Sequence, residues 1–408
     1  MQCKERIFFI IVLIVVLPLL AESIYSPGLP ALGNSFQVSD TLAETTLSIY
    51  LFGMAFGVAF WGNISDVVGR RPVILAGLIL FLVATCVCYW TQNFYYFLLF
   101  RFLQAFGGSV SCVSQSINRD IFSQRERMAL SARIGTAVSI APAIGAMLGG
   151  VVTQYAHWRM GFICLWCIGF CAFIYVYGYL GETKCQNSQP LHLMNYPHVL
   201  WLVIQDRILL GNATIIGLGL GILYAFMSEG AFYCIENMMV SVNFFGLICA
   251  LGSLVYALGC RASSYWIHKD IAYVRVMKWG VCYMICGLLS MLVNIFLHQV
   301  GFFWTEFASH TLIMIFLGLW MVVSFGLSLI LTPCFANALE NQLKHAGVAA
   351  SVFAFIYSLI SALINIIVSY FHSDGLYRMP MIFLVIVFII AFACDTLYQY
   401  LPYSDSRC

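Results

Sequence analysis

Three ionisable side chains stand where their chemistry is conspicuous: Glu22, Arg101 and Glu229, each inside a stretch that is otherwise apolar. If those stretches lie in hydrocarbon, a carboxylate near their centre costs about 2.5–3.5 kcal/mol on insertion scales. A carboxyl group kept at that cost can load and release a proton whenever water reaches it. Glu22 has Tyr25 and Ser26 one helical turn further on, on the same face. The alternative is an acid close enough to the end of its run to reach water, because Pro27 and Pro30 make that end irregular. Arg101 carries a permanent charge and needs a partner or water wherever it lies. Gln104, Gly108, Ser111, Cys112 and Gln115 continue its face at helical spacing, a polar stripe expected to line an aqueous path. The alternative is an interfacial guanidinium. Glu229 has Phe226, Tyr233 and Glu236 on nearby turns, and substrate contact and a structural role are equally open there. Tyr25, Tyr50, Tyr224 and Tyr233 suit a cavity for lipophilic, partly polar ligands. Asp395, Glu44, Glu306 and Asp374 fall at the ends of apolar runs, where solvation is expected.

The elements that must position these groups are membrane helices. Of 408 residues, 62% are hydrophobic and only 9% charged, and mean hydropathy is +0.92. Charged residues make up about a quarter of a soluble chain. A spanning helix takes about 20 apolar residues, and the runs fall at about 7–32, 42–64, 72–90, 95–118, 127–152, 159–180, 208–235, 243–266, 274–297, 309–333, 345–370 and 379–400. The N-terminal run could be read as a signal peptide, but no small-residue cleavage site follows it, and a retained first helix is expected. With the N-terminus in the cytoplasm, all 19 Lys and Arg except Arg101, Arg159 and Arg378 fall on that side. The positive-inside rule therefore predicts both termini inside. The longest connection, 181–207, divides six spans from six: an N-terminal bundle at 1–180, a linker with an interfacial helix near 196–208, and a C-terminal bundle at 208–408.

Between the second and third runs stands Gly62-Asn-Ile-Ser-Asp66-Val-Val-Gly69-Arg70-Arg71. Gly62 and Gly69 permit a tight turn and close backbone approach. Arg70 and Arg71 hold the loop on the cytoplasmic face, and Asp66 could sit on a neighbouring helix N-terminus. The loop is expected to latch that side.

The 16 cysteines are scattered through apolar runs, and Cys164-x-x-Cys167 has no second pair or His in register, so a metal or redox site is not expected. No metalloprotease, nucleophile-elbow or nucleotide-binding spacing occurs, so neither an enzyme nor a nucleotide-driven pump is indicated. No block of like charge invites nucleic acid.

These residues resemble the major facilitator superfamily, in particular its twelve-helix drug/proton antiporter branch. The Gly62–Arg71 stretch matches that family's signature loop. Tyr25-Ser-Pro27-Gly-Leu-Pro30 is similar to the end of the first helix in the bicyclomycin-resistance (Bcr/CflA) group. Arg101-Phe-Leu-Gln104-Ala-Phe-Gly107-Gly108 is similar to the fourth-helix motif, whose arginine is implicated in proton transfer, and Asn118-Arg-Asp120 comes after it as in that group. Ala141-Pro142-Ala-Ile-Gly145-Ala-Met-Leu-Gly149-Gly150 resembles the fifth-helix antiporter motif, where Pro142, Gly145, Gly149 and Gly150 would pack helices closely, though Ala146 stands where a proline is common. Gly181-Glu182-Thr183 closes the sixth helix in the family's manner. The group usually places its first-helix acid where this chain has Ser23; here the acid is Glu22, one residue and about 100° earlier. Either the helix is irregular there, or Glu22 addresses another face.

The resemblance implies an all-α fold of two six-helix bundles around a cavity. It implies export of a small, lipophilic organic molecule or drug across a bacterial inner membrane by alternating access. Proton flow would drive it without a cofactor, and the chain would act as a monomer. Glu22 and Arg101 would couple the proton; Gln104, Gln115, Tyr224 and Glu229 would join the tyrosines around the substrate. The alternatives are a dedicated exporter of one metabolite, such as a siderophore, and a transport-inactive sensor or scaffold.

Overall fold

The computed structural model describes residues 2–183, 201–299, 306–371 and 377–399. Among them run twelve helices long and apolar enough to cross a membrane, making this a multi-pass membrane protein. They are α1 (Lys4–Phe36), α2 (Asp40–Val68), α3 (Arg70–Trp90), α4 (Phe94–Ile121), α5 (Arg133–Tyr155), α6 (Met160–Tyr179), α7 (Arg207–Glu236), α8 (Val242–His268), α9 (Tyr273–Leu297), α10 (Met314–Gln342), α11 (Gly347–Tyr370) and α12 (Arg378–Leu397). Most of the linker expected at 181–207 lies outside the described residues, as do Lys184, His192, Asp374 and Arg407 and the side chains of Arg125, Glu306 and Lys344; Trp201–Ile204 is helical.

Helices α1–α6 pack on one another, as do α7–α12, and two long seams join the halves: α2 with α11, and α5 with α8. The seams depend on missing side chains. A Cβ on Gly150 would lie 3.1 Å from Gly246 Cα, and one on Gly246 would lie 2.6 Å from the Ala146 carbonyl. With little hydrophobic drive between helices in lipid, such close packing is the main attraction available.

Two spans are interrupted where the chemistry sits. α1 is helical from Gln2 to Ser23, tightens into a 3-10 turn at Ser26–Gly28, and resumes at Leu29–Phe36. Pro27 has no N–H to give the carbonyl of Ser23, so the α-helical ladder ends there. α4 likewise passes through a 3-10 turn at Ser109–Cys112.

The expected loop between α2 and α3 is much shorter than its sequence implies. α2 continues to Val68, Gly69 alone breaks the path with φ 114°, and α3 starts at Arg70. Gly62 is therefore inside a helix, not in a turn. It serves close approach to α11, since a Cβ there would meet Ser351 Oγ at 2.7 Å. The end of the bundle that carries Arg70 is the basic end, and the opposite one is the far end.

Candidate functional site

A cavity of about 440 Å³ lies between the bundles, extending from mid-membrane toward the basic end. Glu22, Gln115 and Pro142 line it from the N-terminal half. Tyr224, Trp320 and Tyr357 line it from the C-terminal half. The wall is mostly apolar; among the described residues Glu22 is its one carboxylate, and no Lys, Arg or His is part of the lining.

Glu22 occupies the last turn of the first α1 segment and is 3% exposed. The Tyr224 hydroxyl donates across the bundle boundary to its Oε1 at 3.3 Å and Oε2 at 3.4 Å. The one-residue shift of the acid is thus resolved: Glu22 faces the cavity. Ser23 turns to α5 and packs against Gly145, while its hydroxyl donates back within α1 to Leu19 O at 2.8 Å. Neither Gly145 nor Gly149 could carry a side chain without striking Ser23 or the Ile24 carbonyl. The two glycines therefore hold the broken part of α1 against α5, and Gly150 holds α8.

Arg101 is fully buried behind the cavity wall. Its guanidinium lies between the rings of Tyr25, at 3.9 Å, and Tyr50, at 4.3 Å. Nη1 donates to Gln104 Oε1 at 2.6 Å and to Ala21 O at 3.4 Å. Gln104 passes the chain on, donating from Nε2 to Thr85 Oγ1 at 2.7 Å. Tyr50 donates to Pro18 O at 2.9 Å, inside the first α1 segment. Two aromatic faces and a neutral amide thus hold the charge in place of a carboxylate partner.

This corrects the expected placement of several residues. Tyr25, Tyr50 and Gln104 enclose Arg101 and do not line the cavity. The stripe from Arg101 to Gln115 is not one face, because the 3-10 turn winds at about three residues per turn and rotates the residues beyond it. Only Gln115 of that stripe reaches the cavity. Glu229 and Tyr233 lie nearer the far end, outside the lining; both are buried, and Tyr233 stacks on Phe316 at 5.0 Å. Glu44, expected in solvent, is fully buried because the Leu29–Phe36 helix folds over its end of α2. Asp395 is solvent-facing as expected, beside Lys278 at 3.4 Å.

At the basic end, Arg70 gathers the charges. Its Nη1 donates to Asp66 Oδ1 at 2.6 Å and Ser65 Oγ at 2.8 Å, and its Nε to Asp120 Oδ2 at 3.3 Å. Asp66 is therefore committed to Arg70. The acid on a helix N-terminus is instead Glu182, which accepts from the backbone N–H of Arg70 at 3.0 Å and of Arg71 at 3.3 Å. Four unpaired N–H groups and the helix dipole make that a favourable seat for an anion. Arg71 donates to Tyr177 O at 3.0 Å. This cluster ties α2, α3, α4 and the end of α6 together within the N-terminal bundle.

At the far end the halves are bonded to each other. Asn365 of α11 donates to Ser48 Oγ of α2 at 2.8 Å and accepts from Ser228 Oγ of α7 at 2.8 Å. Ser26 donates to the Met227 carbonyl. Sequence reasoning passed over Asn365, whose signal is a lone amide in an apolar helix.

Two bundles joined along α2–α11 and α5–α8, enclosing one central cavity, define a secondary-transporter fold. The Major Facilitator Superfamily model matches residues 11–365, and the chain belongs to that family. It is 30% identical over 374 residues to an uncharacterized transporter of Rickettsia felis, covering 90% of this chain and 89% of that one. It is 28% identical over 272 residues to a bicyclomycin resistance protein homolog of Haemophilus influenzae, covering 66% and 68%. Among solved structures, the xylose transporter XylE from E. coli, in a partially occluded inward-open conformation, superimposes over 100% of both chains with a TM-score of 0.75 at 12% identity, a likeness of fold.

Proposed function

We propose that this transporter exports small lipophilic organic compounds, cationic ones foremost, across a bacterial inner membrane in exchange for protons. The basic end and both termini face the cytoplasm. The observation that carries this reading is Glu22: the one carboxylate among the described residues of an otherwise apolar wall. An organic cation and a proton neutralise the same group, so each displaces the other. Displacement by competition is sufficient to couple two opposite flows when the site faces the two sides in turn. The distribution of charge supports the orientation, since Lys and Arg cluster at the basic end. The resistance activity in the name of the Haemophilus relative agrees with export of a drug-like compound. Arg101 keeps the adjoining part of α1 in shape through Ala21 and Tyr50 and holds positive potential beside the acid.

Inverted vesicles test this. Ethidium uptake should begin when the vesicle lumen is acidified and stop when an ionophore removes the gradient. Uptake that persists undiminished after the gradient is gone excludes proton exchange.

A further inference from the structure

We propose that the cavity holds a second subsite on the C-terminal bundle, framed by Phe226, Trp320 and Gly252, which takes the planar aromatic part of a cationic substrate whose charged end lies at Glu22. This rests on the function proposed above and adds to it the shape of the substrate.

The lining is divided by chemistry. Its six aromatic side chains, Tyr224, Phe226, Tyr256, Trp320, Phe335 and Tyr357, all come from the C-terminal half, and its carboxylate comes from the N-terminal half. A ligand that satisfies both is an amphiphile with charge at one end and rings at the other. The slab that would receive the rings is rigid. Phe226 and Trp320 stack face to face, 3.5 Å between centroids and 10° from coplanar, with Phe383 and Phe245 supporting them from outside. Rigid aromatic walls with few polar atoms are the common lining of ligand sites.

Gly252 is where that buried slab borders the cavity, Phe226 and Trp320 being 1% and 2% exposed. A Cβ there would lie 3.2 Å from Trp320 Nε1 and 3.6 Å from its Cδ1. The N–H edge of the indole thus borders the floor that Gly252 leaves bare, and Cys249 and Ser253 beside it are also small. Flat ring systems fill such a space, and a ring heteroatom can accept from the indole N–H. Because the two anchors belong to different bundles, a rocking motion that parts the bundles pulls them apart. The ligand then loses one anchor as the site turns, which favours release.

The test is equilibrium dialysis of purified full-length protein in lipid nanodiscs with two cations, planar aromatic ethidium and ring-free tetrabutylammonium. Variants are Gly252→Ala, which caps the floor, Trp320→Phe, which removes the N–H edge, and Glu22→Gln. Only variants that keep the wild-type melting temperature and a monodisperse profile are scored. Gly252→Ala and Trp320→Phe are expected to weaken ethidium by about three- to tenfold, the worth of an aromatic contact, while tetrabutylammonium changes by less than about twofold. Glu22→Gln should weaken both. If Glu22→Gln weakens both cations while Gly252→Ala and Trp320→Phe spare ethidium or weaken both equally, the subsite is refuted and the transport reading stands. If the wild type binds neither cation, or Glu22→Gln changes neither, both fall.

Discussion

Replacing Glu22 by Gln keeps the side chain's shape and its approach to Tyr224 but removes the exchangeable charge. Downhill flux of a neutral substrate should persist in Glu22→Gln, while uphill flux should lose its response to an imposed pH gradient. Paired vesicle measurements with and without the gradient check this. Arg101 argues differently, because it lines nothing. Arg101→Lys keeps the charge but loses the planar fork that Tyr25, Tyr50 and Gln104 enclose. It should lower transport by about tenfold or more through loss of local shape and lower the melting temperature too; the order of magnitude is that of losing a group that orients a functional one. Both ionisable residues were legible in the sequence because oil makes any charge conspicuous. Their surroundings were not, since helical spacing counts 3.6 residues per turn and both α1 and α4 depart from it beside these residues. The tyrosines thus passed for cavity lining when they are the walls of an arginine box.

At the scale of the element, single atoms decide how helices meet. Gly149→Leu would drive a side chain into the Ile24 carbonyl. It should cost more than the roughly 1–3 kcal/mol usual for overpacking, because backbone cannot turn aside as a rotamer does. Expression level and thermal unfolding in detergent give the readout, and Gly135→Leu, with nothing near it, is the control. Gly69→Ala meets a double obstacle, a φ of 114° and Glu182 Oε2 at 2.6 Å. With ψ at 162° this backbone is essentially open to glycine alone, and about 1–3 kcal/mol is expected from it. Most span boundaries were readable to within a few residues because the 20-residue hydrocarbon requirement leaves little latitude, but α5 starts later than expected at Arg133 and α10 runs on to Gln342. The single-residue turn at Gly69 was not readable. Asp66, Arg70 and Arg71 look like loop residues by polarity, yet they lie on helix ends, where Asp66 pairs with Arg70 one turn away and the remaining partners, Asp120, Glu182 and the Tyr177 carbonyl, are far away in sequence.

For the whole molecule, the far-end bond from Asn365 to Ser48 holds the halves together where the basic-end cluster does not. Asn365→Ala should release Ser48 and Ser228 together. Hydrogen bonds between membrane helices are worth about 0.6 kcal/mol and at most about 1.7, so loss of the one Asn365 bond that crosses the halves should raise opening at that end about threefold, and at most about twentyfold. Amide hydrogen exchange at the far ends of α2 and α11 measures it. At the basic end, Lys4, the first residue of α1, meets Glu126, which precedes α5, at 2.8 Å. The Lys4 ammonium, with the Ser123 backbone and hydroxyl, lowers the Glu126 carboxyl from 4.5 to about 2. A depressed carboxylate stabilises the fold above its unfolded value and loses that contribution on acidification. The melting-temperature gap between wild type and Glu126→Gln should therefore be constant above pH 4.5 and close between there and pH 2.

Under the exchange proposed above, the one acid among the described residues of the chamber wall also fixes how that exchange is powered. If a monovalent cation leaves as one proton enters, no net charge crosses, and the electrical potential neither helps nor hinders. An uncharged compound leaving through the same chamber carries one positive charge inward per cycle, and the potential then adds about 2.3 kcal/mol for every 100 mV. The same protein would be electrically silent for one cargo and current-generating for another, which solid-supported membrane electrophysiology can register directly.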